Sequence, residues 1–175
     1  MHLTKEMLPA AIPETVQAWF MPAEKADLPK GIWQREPDKI QWVDRATGLP
    51  CLIVRNYVGA LCGYAGVTPG HPLYRKSRHY EAVEKLHCAR DLNYTAGCDH
   101  RPHPWQGVCH IPEPGTPDDV WWFGFDCMHA WDLVPGFQHL FDRIDLRVLG
   151  MKYRDVEWVA RAVTQLAAQL HQVAA

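Results

Sequence analysis

No run of apolar residues in this 175-residue chain is long enough to cross a bilayer, and the opening MHLTKEMLPA lacks the apolar stretch of a secretory signal. The expectation is a cytoplasmic protein with no membrane partner. Excess charge is missing too: 18 Lys and Arg against 20 Asp and Glu leave a formal net charge of -2, which gives no strong nucleic-acid signal. The one basic run, Arg75, Lys76, Arg78 and His79, reads as a solvated loop that a phosphate could meet. No CxxC pair occurs among Cys51, Cys62, Cys88, Cys98, Cys109 and Cys127. Without an export signal, these six are expected mostly as reduced thiols, in the core or as ligands. There is no internal repeat and no low-complexity segment.

What is present is a large apolar fraction, 47%, with eight tryptophans, enough to bury a substantial core. The organisation read from it is a proline-rich N-terminal arm over 1–38 and a single α+β domain over 39–175. In the arm, Pro9, Pro13, Pro22, Pro29 and Pro37 break regular structure. They leave one short helix in PETVQAWF from Pro13, and Trp33 as an anchor. Two β-prone runs between Lys39 and Asn56, around Ala46-Thr47-Gly48, predict a hairpin, and Leu61 to Val67 a third strand whose glycines permit close approach. Ser77 to Leu86 reads as a short helix and LNYTA as a further strand. Val120 to Cys127 reads as a strand buried on both faces, near the centre of the sheet. From Asp155 to Val173 apolar residues recur at helical spacing. The fold class is therefore α+β: a mainly antiparallel sheet with a C-terminal amphipathic helix packed across it and an irregular N-terminal arm.

Two groups of side chains carry candidate chemistry. The first is the C-x-H-x2-H-x5-C-H cluster of Cys98, His100, His103, Cys109 and His110 in a proline-rich loop. Thiolate and imidazole are ligands that zinc prefers, although the spacing matches no established finger and a rigid turn explains the same residues. A Cys98–Cys109 disulfide is a third reading, which the expected compartment opposes. The second group is Asp126, Cys127, His129 and Asp132, at a strand end with Gly124 opening space before it. Asp126 and His129 could coordinate zinc or another divalent metal with His87 or His110, leaving a bound water as nucleophile. Alternatively Cys127 serves as a thiolate with His129 as base and Asp132 as orienter, or Asp126 and Asp132 simply cap turns. His71, constrained between Gly70 and Pro72, is either a presented catalytic group or a satisfied turn residue.

The strings EPDKIQWVDRATGLPCLIVRN, CGYAGVTPGHPLY and CHIPEPGTPDDVWWFGFDCMHAWDLVPG resemble an uncharacterised family of small bacteriophage and prophage proteins with no established activity. The resemblance covers roughly residues 36 to 74 and 107 to 136 and extends to a similar closing helix. The family's His-Gly-Gly-Leu-Thr-Tyr string departs here, where Cys88 to Asp91 separate His87 from LNYT. The resemblance implies that His71, His110, Asp126 and His129 belong to one site, and it implies a phage accessory setting inside a bacterial host cell. Two functions are expected. One is a metal-dependent hydrolase-like site with Asp126, His129 and His71 as catalytic residues. Its metal ligands are drawn from His87, His110, Asp126, His129, Cys98 and Cys109, and Tyr64 and Trp122 line its pocket, with a small molecule as substrate. The other is an accessory or inhibitor protein whose Trp-rich loops bind a host protein without catalysis.

Overall fold

A computed structural model describes residues 12, 16–87, 89–141 and 149–175. Six strands form one antiparallel sheet: β1 (Gln17–Trp19), β2 (Lys39–Val43), β3 (Pro50–Arg55), β4 (Leu61–Val67), β5 (Tyr94–Gly97) and β6 (Trp121–Asp126). Their order is β1-β2-β3-β4-β6-β5. A single-turn helix α1 (Glu81–Glu84), the long helix α2 (Val156–Ala174) and two short 3-10 helices (Ile32–Gln34 and Pro135–Phe141) complete the regular structure of the described residues. No helix of the described residues is long and apolar enough to cross a membrane. The fold is α+β, with α2 packed across β3 and β4 as its apolar stripe requires.

The β2–β3 hairpin turns at Gly48, whose positive φ of 70° suits a residue without Cβ. Alternation then sorts the strands into two faces. Ile40, Trp42, Cys51, Ile53, Ala65, Phe123 and Phe125 meet Val159, Val163, Leu166 and Leu170 of α2 in the main core. The helix starts where it should: the Asp155 side chain accepts the Trp158 amide at 2.8 Å, a cap at the N-terminus. On the opposite face Leu52, Cys62, Tyr64, Val120 and Trp122 form a second cluster, roofed by Val108 and Cys98 of the loop that joins β5 to β6. Register places Gly124 between Tyr64 and Tyr94, whose rings meet edge to face 5.2 Å apart. A Cβ at Gly124 would collide with the Tyr64 ring, so the glycine is what admits this contact.

Three expectations are corrected. Residues 17–19, assigned to a helix beginning at Pro13, form β1; the start of that helix lies outside the described residues. Pairing with β2 through Gln17–Gln41, Ala18–Ile40 and Trp19–Lys39 outweighs the local helix signals. The β6 strand is one place in from the edge, between β4 and β5, so the centre falls on β3 and β4. Cys98 and Cys109 are paired as a disulfide, with Cα atoms 4.6 Å apart, where reduced thiols were expected. Cys51, Cys62 and Cys127 are free and buried, and Cys88 lies outside the described residues.

The arm is fastened by buried charge. Arg55 donates to Asp38 at 2.7 Å and to Glu36 at 3.0 Å, and Lys25 sits 3.0 Å from the other Asp38 oxygen. Tyr153 donates to Glu36 at 2.6 Å while accepting from Arg55, and the second Glu36 oxygen accepts the Val156 amide at the start of α2. Trp33, 2% exposed, packs beside this network against Leu133.

Candidate metal centre

The loop between β5 and β6 lies over the second face because side chains of β2 hold it there. Lys39, 1% exposed, donates to the carbonyls of Cys109 (2.7 Å), Gly107 (3.1 Å) and Gln106 (3.4 Å). Gln41 both donates to the Ile111 carbonyl (2.9 Å) and accepts its amide (2.8 Å), the pairing a neighbouring strand would supply. Burial lowers the Lys39 amine to about 8, against the opposing pull of Asp99. Inside the loop, Asp99 donates its amide to the Val108 carbonyl at 3.1 Å, which closes the segment holding His100 and His103. Lys39→Met should cost about 1–3 kcal/mol, since it keeps the apolar stem but leaves three carbonyls without their donor. The check is amide exchange at Asp99 alongside a thermal melt. Exchange and melting temperature both unchanged would mean that Gln41 alone secures the loop.

Held this way, the loop brings one ligand atom each from Cys98, Cys109, His110 and Asp118 within 4.8 Å of one another, a set able to hold a metal ion. Asp118 Oδ1 is 3.0 Å from Cys98 Sγ and 3.4 Å from Cys109 Sγ, and His110 Nδ1 is 3.5 Å from the same oxygen. His110 Nδ1 is buried and has no hydrogen-bond partner, a cost that a bound ion would remove. Burial lowers the His110 pKa, with Asp118 opposing, which favours the neutral imidazole that a metal requires. The ring stands edge to face on Trp122, and the Trp122 indole donates to Cys98 Sγ at 3.5 Å, so β6 supports the group from below. His100 approaches from the solvent side, its Nδ1 3.4 Å from Asp118 Oδ2 and its side chain 69% exposed. His103 instead stacks on Trp105.

The remaining expected site residues lie elsewhere. His71 accepts the Leu73 amide on Nδ1 (3.0 Å) and donates from Nε2 to the Leu170 carbonyl (2.9 Å), so both nitrogens tie the 68–74 loop to the end of α2. His87 is exposed, and its amide donates to Gln169 of α2 at 2.6 Å. Asp126 accepts from Asn93 (2.7 Å) and from the Met128 amide (2.9 Å), which makes it a cap at the end of β6. His129 Nε2 is 3.7 Å from Asp126, beyond hydrogen-bond reach, and both side chains are about one-third exposed. The residues grouped as a hydrolase-like site thus fall into three places: the α2 side, the end of β6, and His110 under the loop. Cys127 is buried, and burial raises its thiol well above the usual range, which removes it as a ready nucleophile. Asp132 orients no imidazole ring; it accepts from Arg90, from Arg154 and from the His129 amide. Tyr64 and Trp122, 7% and 0% exposed, are core residues beneath the loop.

Asp118 is the candidate ligand that sequence reasoning missed. Its signal was present: an acid just before the apolar strand, where the loop must return to the sheet beside His110. No family model matches the chain, and no curated protein or solved structure matches it.

Proposed function

We propose that the protein binds one zinc ion through Cys98, Cys109, His110 and Asp118, and that the ion fastens the β5–β6 loop to the outer face of the sheet. The convergence of those four ligand atoms carries the reading. Two thiolates, an imidazole and a carboxylate suit zinc, and four protein ligands complete a tetrahedral shell with no position left for a reacting water. The centre is therefore structural, and this reading replaces the hydrolase-like one. Protein prepared without a histidine tag under reducing conditions should carry one equivalent of zinc by elemental analysis. Asp118→Asn should weaken retention against a chelator by 10-fold or more. Reduced protein that takes up no zinc when it is supplied ends the proposal.

A second reading, recognition of a host protein, is favoured by Trp131. It is 68% exposed, at a φ of 72° that bulky residues rarely adopt. The next residue, Asp132, is buried against Arg90 and Arg154, so the strained backbone is held from within and the indole is presented outward. Trp131→Ala should leave the fold and metal content intact while abolishing partner binding. A partner that binds this variant undiminished removes Trp131 as the anchor.

A further inference from the structure

We infer that the centre is gated by redox state: the two sulfurs that serve as zinc ligands in the reduced protein join as the Cys98–Cys109 disulfide on oxidation, and the metal is released. The inference rests on the zinc reading above and adds its regulation. Its ground is one juxtaposition: two of the four converging ligand atoms are the two halves of the disulfide. A sulfur cannot be both a half-disulfide and a thiolate ligand, so the two states exclude each other. Without the sulfurs, His110 and Asp118 remain, with His100 beside Asp118 but largely in solvent. That set is too few and too open to hold the ion as four ligands do.

The backbone does not have to unfold for the exchange. A separation of 4.6 Å between the Cα atoms suits a disulfide. The same backbone serves a shared metal, because tetrahedral zinc holds two thiolates about 3.8 Å apart at Zn–S distances near 2.3 Å, a change that side-chain rotation supplies. The loop is meanwhile held by contacts that involve no sulfur: Lys39 to three carbonyls, Gln41 to Ile111, and Asp99 to Val108. Among the described residues the chemistry is also confined to this pair. Cys98 is half-buried at the protein surface, whereas Cys51, Cys62 and Cys127 are enclosed in the core, and burial raises the Cys62 thiol to about 12.

The oxidant is a low-molecular-weight disulfide. One thiolate attacks it, breaking its S–S bond, forming a mixed disulfide and expelling one small thiolate. The second protein thiolate then displaces the other, forming the Cys98–Cys109 bond. Two electrons pass from the protein sulfurs to the reagent, two small thiols leave after taking two protons from water, and the zinc ion departs.

The test is to load the reduced, full-length protein with zinc, add oxidised glutathione, and follow free zinc with a chromophoric chelator while peptide mapping locates disulfides. The expected result is one zinc released per Cys98–Cys109 disulfide formed, reversed by a phosphine reductant and added zinc. Disulfide formation with the zinc retained overturns the gating, as does a zinc-loaded protein whose two thiols stay reduced while the metal-free protein oxidises. In either case zinc binding itself stands. Reduced protein that never takes up zinc overturns the zinc reading and the gating with it. Asp118→Asn separates the two states further: it keeps both sulfurs, so it should still form the disulfide in full while holding at least 10-fold less zinc.

Discussion

Arg55→Met is expected to lower the unfolding free energy by about 3–5 kcal/mol, the cost of removing one partner from a buried ion pair. Arg55 is 3% exposed in its side chain and makes contacts no neutral residue can replace: Asp38 and Glu36 through charge, Gly59 and Pro37 through their carbonyls, and the Tyr153 hydroxyl. Methionine fills much of the volume and leaves two largely buried carboxylates without their shared guanidinium, with Lys25 facing Asp38 at 3.0 Å. The loss should also loosen the arm, because Asp38 accepts the Met21 amide and Glu36 accepts the first amide of α2. Urea unfolding measures it, with Arg55→Lys as the partial rescue that keeps charge without the fork. A loss below about 1 kcal/mol would mean that the network is solvated and the arm is held by the β1–β2 pairing and Trp33.

Val163→Asp should have a comparable effect, about 4 kcal/mol or more, leaving the protein unfolded or insoluble. Val163 is 0% exposed, and its methyl group occupies the space above Gly63, so α2 meets β4 here with no room for water. A carboxylate at this point has no partner among the apolar residues around it and must either take up a proton or push the helix away. Circular dichroism through a thermal melt decides it. An unchanged melting temperature would remove α2 from the core.

Periodicity made most of the architecture legible. The near-continuous apolar runs of β3, β4 and β6 and the helical stripe of α2 each state in the chain what they bury, because a strand covered on both faces needs an unbroken run and a helix covered on one face needs its own spacing. β1 was opaque for the opposite reason: PETVQAWF carries helix-start chemistry, and only the edge of β2 makes it a strand. The arm network was equally invisible, since Glu36, Arg55 and Tyr153 are distant in sequence and nothing local marks them as partners. For the site, residue type and spacing picked out the Cys98–His110 loop, where four ligand-type atoms converge, and grouped His71, His87, Asp126 and His129 with it by chemistry alone. Chemistry does not say which side of a sheet a histidine occupies; His71 and His87 went to α2 and His110 to the opposite face. The bridge between Cys98 and Cys109 was discounted on an argument about compartment, yet it is the state this structure holds.

The placement of α2 across β3 and β4 has a consequence for biosynthesis. Strands β2, β3 and β4 follow one another closely in the chain and pair with their immediate neighbours, so the ribosome delivers a complete meander early. Its lid comes much later: Val163, which closes over Gly63, is translated only after β5, the loop and β6. At roughly 5–20 residues per second, the nascent sheet waits for seconds with Ile40, Ile53, Ala65 and their neighbours uncovered. Chaperone demand during synthesis should therefore track the time between β4 and α2. Slowing translation across that interval should lower the soluble yield more than slowing it elsewhere.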